Sequence, residues 1–307
     1  MEKTSILHLI TPAKNASPFD VNMAFDTGFE KIMPYTNVLL GEVAALTQDA
    51  IFSRSPSGVK REALFIGGRD IDVAMQMLEA SKQAMFTPFS CSIFADPSGA
   101  FTTAAAMVAK VELHLYKHFD ENLSGKSISI FGAGGPVGGC AAIIAAKQGA
   151  KVRLVAHHSV AELAQKAQVW NVKYQLNLQV VDGTNESNKE AILANTDIAL
   201  CAAAAGVRVL SASQIAHARQ LKMIADVNAV APTGAEGVDV MADGVAIEST
   251  NVIGIGALAI GNLKYATQHN LLKQMLATHK FNGELNDKPC YLEFMAAFEM
   301  AQHLTRV

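Results

Sequence analysis

The stretch Ser127-Ile128-Ser129-Ile130-Phe131-Gly132-Ala133-Gly134-Gly135-Pro136-Val137-Gly138-Gly139 decides how the second half of this chain folds. Ser127–Phe131 reads as a short buried strand, and the glycines and proline then break it. Cys140–Gln148 follows as an apolar helix, with Gly149 as its stop. Each small residue has its own physical reason. Gly132 and Gly134 let the backbone turn tightly and approach a pyrophosphate. Pro136 suits a first helical turn, where its missing N–H had no partner anyway. Gly138 lets the helix pack closely on the sheet. A helix that starts there aims unpaired N–H groups at an anion, so Gly132, Ala133, Gly134, Gly135, Pro136 and Val137 are candidate dinucleotide contacts. The spacing G-x-G-x-x-x-G departs from the strict fingerprint G-x-G-x-x-G, and a purely structural turn has the same composition. Ser127–Ala146 is also uncharged and mostly apolar, but glycines and a proline in its middle argue against a membrane span.

The residues that follow favour the dinucleotide reading. Lys151–Ala156, Leu178–Val181, Asp197–Ala202 and Met223–Val227 read as strands. Val160–Tyr174, Lys189–Ala194 and Ser213–Gln220 read as the helices between them. That alternation predicts a Rossmann-type parallel sheet covered on both faces. The first half is a second α/β domain of less regular rhythm. Its strand candidates are Ile6–Ile10, Ala63–Ile66 and Ser90–Phe94, and its helix candidates are Val43–Phe52, Asp70–Ala84 and Thr102–His118. Polar Phe119–Gly125 suggests a junction, and Leu258–Met275 a long helix returning to the first domain. The expected division is a substrate and oligomerisation domain over 1–120, completed by 258–307, and a dinucleotide domain over 121–257. Two lobes so arranged would have a cleft between them.

Composition narrows the class. The chain has 307 residues, half of them hydrophobic and 17% charged, which is ample for two buried cores. A formal net charge of −3, with no Lys/Arg-rich run, gives no footprint for nucleic acid or an anionic membrane. Cys91, Cys140, Cys201 and Cys290 are far apart, so neither a disulfide framework nor a thiolate metal site is expected. The N-terminus lacks the apolar stretch of a secretory signal, and a cytoplasmic location is expected.

The ends of the strands carry the cofactor preference. At the end of the second Rossmann strand a carboxylate would hold the 2′-hydroxyl of NAD. His157-His158-Ser159 stand there instead, and the next acid, Glu162, is already inside a helix. Two imidazoles and a hydroxyl suit the 2′-phosphate of NADP, although they would equally suit a solvated loop. At the fourth strand's end, Ala202 and Ala203 are small enough to leave room for a nicotinamide ribose, or are ordinary packing residues. Asn228, just past the fifth strand, is a further cofactor-binding candidate.

With these residues in hand, the chain resembles the bacterial NAD(P)-dependent methylene-tetrahydromethanopterin dehydrogenases. The likeness runs through Ser17-Pro18-Phe19-Asp20-Val21, Phe65-Ile66-Gly67-Gly68, Thr102-Thr103-Ala104-Ala105-Ala106 and Gly135-Pro136-Val137-Gly138. It continues through Asp226-Val227-Asn228-Ala229 and Gly261-Asn262-Leu263-Lys264. The resemblance implies a two-lobed fold with the pterin in the interdomain cleft, a homo-oligomer (a trimer), and NADP as cofactor with NAD as a possible second. Family members that use NADP carry a basic side chain just after the second strand, where this chain has His157-His158-Ser159.

The implied chemistry moves a hydride from a methylene carbon held between two nitrogens. The resulting cation is stabilised by those nitrogens, so no general base and no metal is required. Asp20, in an apolar setting, is a candidate to bond the pterin or stabilise the cation, with helix capping as its alternative. Lys264 is a candidate for the pterin carbonyl, or a solvated helix lysine. Phe19 would pack on the pterin face. Thr102 and Thr103, at a helix start, and Asp96, on the preceding loop, are further substrate candidates. Three other readings keep the dinucleotide site. They are methylene-tetrahydrofolate dehydrogenase, a dehydrogenase for a hydroxy or amino acid, and a non-catalytic NADP-binding redox sensor.

Overall fold

The computed structural model describes residues 4–276, 280–281, 284–285 and 288–306. Along the chain come β1 (Ile6–Ile10), α1 (Pro18–Asp26), β2 (Lys31–Tyr35), α2 (Val43–Phe52), α3 (Pro56–Val59), β3 (Glu62–Ile66), α4 (Ile71–Gln83), β4 (Ser92–Ala95) and α5 (Ala100–Phe119). Next come β5 (Ser127–Phe131), α6 (Pro136–Lys147), β6 (Lys151–Ala156), α7 (Val160–Tyr174), β7 (Gln179–Asp182), α8 (Glu186–Leu193), β8 (Ile198–Cys201), α9 (Ala212–His217) and β9 (Met223–Asp226). The chain ends with β10 (Asp243–Ala246), β11 (Ile253–Ile255), α10 (Ala257–Met275), β12 (Lys280–Phe281), β13 (Glu284–Leu285), β14 (Tyr291–Leu292) and α11 (Phe294–Arg306). Two compact units divide it: Met1–Thr102 with Tyr265–Met300, and Thr103–Lys264 with Ala301–Val307. The divisions fall inside α5, α10 and α11.

The first unit is built on a parallel sheet in the order β14-β4-β3-β1-β2. Its inner strands β3 and β4 are buried at every residue, as expected of a parallel sheet covered on both faces. β2 lies at the edge and contains Pro34, which an edge tolerates because no ladder N–H is needed there. α1 starts by the expected chemistry, with Pro18 in its first turn and Ser17 as its cap. The cap oxygen accepts from the Asp20 amide at 3.3 Å, so Asp20 itself is not the capping residue. The start of α5 corrects a second expectation. The helix begins at Ala100, two residues before the expected Thr102, so Thr102 and Thr103 lie within its first turn and Asp96 caps it by accepting from the amides of Phe101 (2.9 Å) and Thr102 (3.2 Å).

The second unit holds a sheet in the order β10-β11-β9-β8-β5-β6-β7. It is parallel except for β10, which runs antiparallel to β11. Counted from β5, the seven strands stand 3-2-1-4-5-7-6; without the antiparallel β10, the six parallel strands have the doubly wound order 3-2-1-4-5-6, with its switch point between β5 and β8. The strands and helices expected from the sequence lie within a few residues of their bounds, with Pro136 in the first turn of α6 as expected of it; β10 and β11 had no sequence-based expectation. Gly138–Ala145 of α6 are all buried, so this helix is apolar all round because it is a core helix. No helix among the described residues is long and apolar enough to cross a membrane. His114 of α5 is buried, with Nε2 2.8 Å from Oδ1 of Asp243 on β10. Lys110 donates to the other oxygen of that carboxylate at 2.7 Å. Gly244, at φ 76°, packs its backbone against the His114 ring.

Candidate functional site

The glycine turn after β5 is closed by contact rather than by flexibility alone. Gly132 sits at φ 81°, and a Cβ on it would come within 2.5 Å of the Ala203 amide nitrogen. A Cβ on Gly138 would meet the Gly132 carbonyl oxygen at 2.5 Å. Gly135 donates its N–H to that same oxygen at 3.0 Å and forms the N-cap of α6. The turn therefore lies against the end of β8 on one side and α6 on the other, with room for neither side chain. This is a cradle that admits backbone amides to an anion at the helix N-terminus.

Beside it lies a cavity of about 500 Å³ at the C-terminal ends of β5, β6 and β8, where a doubly wound sheet binds its ligand. It brings together Gly132, Gly134, Gly135, His157, His158, Ser159, Ala202 and Ala203 from the sequence-based candidates. Ala133 is buried beneath the turn, and Pro136 and Val137 open α6. Asn228 is not part of this lining. Its Oδ1 accepts from the amides of Gly206 (3.2 Å) and Val230 (3.0 Å), and its Nδ2 donates to the Pro232 carbonyl at 3.3 Å. Asp226 supports the same loop by accepting from the amides of Asn228 (3.0 Å) and Ala235 (2.9 Å). Burial nevertheless raises its carboxyl above the ordinary range.

The electrostatics of the cavity come partly from residues the sequence did not single out. Lys166, Lys189 and Arg208 line it, and Glu162 is the lining carboxylate. Lys166 donates to the Gly134 carbonyl at 3.1 Å, and Arg208 pairs with Glu236 at 2.9 Å. His157 and His158 lie with ring centroids 3.8 Å apart. Burial, with repulsion from His158 and Lys189, holds the His157 imidazole below its ordinary pKa. Ser159 caps α7, its hydroxyl oxygen accepting from the Glu162 amide at 3.2 Å. The chemistry fits an adenine dinucleotide: a glycine cradle for the diphosphate, cations around it, and small alanines at the end of β8.

The remaining candidates lie elsewhere. In the first unit, Asp20 is buried in the first turn of α1 and accepts from Gln268 Nε2 at 2.9 Å. Phe19 is 46% exposed and meets Tyr265 edge-on, with centroids 6.5 Å apart. Asp96 and Thr102 are fully buried, and the Thr102 hydroxyl donates to Asp96 at 2.6 Å. In the second unit, Thr103 and Lys264 are half-buried. Gln268 and Tyr265 carry no motif that distinguishes them from ordinary residues of α10. Among the described residues no group of His, Cys, Asp and Glu is placed to hold a metal ion.

Fold and cavity together define a doubly wound α/β protein of the Rossmann type with a glycine-lined cavity at the ends of its strands. Shikimate 5-dehydrogenase from Listeria monocytogenes shares this fold, with a TM-score of 0.53 at 16% identity over 91% of this chain and 93% of that one. Residues 18–98 match the model of the methylene-tetrahydromethanopterin dehydrogenase N-terminal family. The chain is 42% identical to the NAD(P)-dependent methylenetetrahydromethanopterin dehydrogenase of Methylorubrum extorquens, over 97% of each protein. It is 29% identical to the Bifunctional protein MdtA of the same organism, over 86% of this chain and 89% of that protein. The chain belongs to the family of NAD(P)-dependent methylenetetrahydromethanopterin dehydrogenases.

Proposed function

We propose that this protein transfers a hydride from methylene-tetrahydromethanopterin to NADP+ or NAD+, giving methenyl-tetrahydromethanopterin. The observation that carries this reading is the 42% identity over 97% of both chains. The glycine cradle and the cavity beside it support the cofactor half of the reaction. The bound nicotinamide ring supplies the hydride acceptor. The methylene carbon loses hydride with both bonding electrons, and the flanking nitrogens share the positive charge left behind. No proton is transferred, so the protein's task is orientation, water exclusion and charge placement.

In this reading residues 121–257 hold the dinucleotide, and residues 1–120 with 258–307 hold the pterin. Asp20 bonds the pterin or faces the developing cation, with Gln268 fixing its carboxylate. Lys264 bonds the pterin carbonyl and Phe19 packs on the ring. Asp96 and Thr102 serve by holding the first turn of α5, since their polar atoms face each other; Thr103 lies next to them. Asp20→Asn and Lys264→Met should then raise KM for the pterin or lower kcat, while leaving the NADP+ dissociation constant within about twofold. The protein acts in the cytoplasm as a homotrimer, which light scattering after gel filtration tests directly.

The deciding experiment is anaerobic. Purified protein is given methylene-tetrahydromethanopterin or methylene-tetrahydrofolate, each with NADP+ or NAD+, while reduced cofactor and methenyl absorbance are followed together. The expected result is stoichiometric appearance of both signals, fastest with the methanopterin substrate. Faster turnover of the folate would reassign the carrier. No turnover by folded protein that binds NADP+ would favour a redox sensor.

A further inference from the structure

We propose that Lys189, reaching in from α8, is the permanent cation that selects the 2′-phosphate of NADP, in a subsite shared with His157 and Ser159. The inference rests on the dinucleotide reading of the cavity. At the end of β6 the chain has two imidazoles and a hydroxyl and no fixed charge, which is weak equipment for a phosphate dianion. The fold makes up the deficit from the next crossover. Lys189 lies 32 residues after His157, yet both line the same cavity. Its side chain is only 17% exposed although α8 is a surface helix, whereas its ion-pair partner Glu186 is 71% exposed. Glu186 accepts from Lys189 at 2.8 Å and from Gln214 Nε2 at 2.7 Å, so the lysine is held by a carboxylate that is itself anchored. Burial, repulsion from His158 and repulsion from Lys189 together lower the His157 pKa.

The two other lining cations have different work. Lys166 donates to the Gly134 carbonyl, which puts it beside the diphosphate cradle common to both cofactors. Arg208 donates from Nε to the Thr233 carbonyl at 2.9 Å and pairs with Glu236, beyond the end of β8. Glu162 faces the same cavity from the first turn of α7. Its carboxylate suits the 2′-hydroxyl of NAD and repels a phosphate. Lys189 and Glu162 thus pull the preference in opposite directions, which accounts for a site able to take either cofactor.

The test is calorimetric titration of the full chain, as wild type, Lys189→Gln, Lys189→Arg and Lys166→Gln, with NADP+, NAD+, 2′,5′-ADP and 5′-AMP. Lys189→Gln should weaken NADP+ and 2′,5′-ADP by about tenfold or more, while NAD+ and 5′-AMP stay within about twofold. Lys189→Arg should restore most of the loss, and Lys166→Gln should weaken both dinucleotides alike. Equal effects of Lys189→Gln on NADP+ and NAD+, no effect on either, or a selective NADP+ loss in Lys166→Gln would overturn the assignment while leaving the dinucleotide reading intact. Wild-type protein that binds none of the four ligands would sink both.

Discussion

At the scale of single residues, two contacts set the strongest expectations. Gly132 combines a left-handed backbone with a missing side chain whose place is taken by the end of β8. Gly132→Ala would incur about 1–2 kcal/mol for the backbone and about 1–3 kcal/mol for the overlap. We expect a matching drop in urea stability and loss of NADP+ and NAD+ binding together. His114 gives a pH dependence. Burial of its ring lowers its pKa against the opposing pull of Asp243, so the folded state favours the neutral imidazole. Its contribution is therefore present above pH 6.5, the ordinary value, and is lost as pH falls through the lower folded pKa. Urea stability of the wild type should decline with acidification below that value. His114→Gln, which keeps a donor for Asp243, should lack that component while Lys110 still holds the carboxylate.

At the scale of elements, α6 and α7 meet where a Cβ on Gly139 would lie 2.6 Å from Cη2 of Trp170. Alanine would gain up to about 1 kcal/mol of helix propensity, but the buried indole has little room to give way. Overpacking should win, and Gly139→Ala should cost about 1–2 kcal/mol net in urea unfolding, with cofactor binding less affected than in Gly132→Ala. The same elements explain what could be read in advance. β5, β8 and β9 are short apolar runs between glycines and polar turns, and a parallel sheet buried on both faces leaves that imprint. β2 left none: it is an edge strand, KIMPY, with a proline and mostly exposed side chains. β10, DGVA, is likewise an exposed antiparallel edge. In the cavity, the glycines, His157, His158 and the alanines were legible because they follow strand ends at fixed offsets. Lys166, Lys189 and Arg208 were not, because only the folded crossovers carry them to the same place. Asp20 was legible as an oddity in an apolar stretch, but its partner Gln268 stands 248 positions away.

At the scale of the whole molecule, ligand and fold are linked by mass action. NADP+ at a hundred times its dissociation constant should stabilise the protein by about 2.7 kcal/mol, seen as a concentration-dependent rise of the melting temperature. A flat melting temperature across that range would contradict binding to the folded state. The contact between Gly139 and Trp170 has an optical consequence as well. Trp170 is the only tryptophan of the chain, and it sits one helix behind the glycine turn. Indole emits where reduced nicotinamide absorbs. Resonance energy transfer from this single donor should therefore quench its fluorescence when NADPH arrives and release it when the oxidised form is produced. The protein thus carries its own label for watching cofactor binding and turnover in real time.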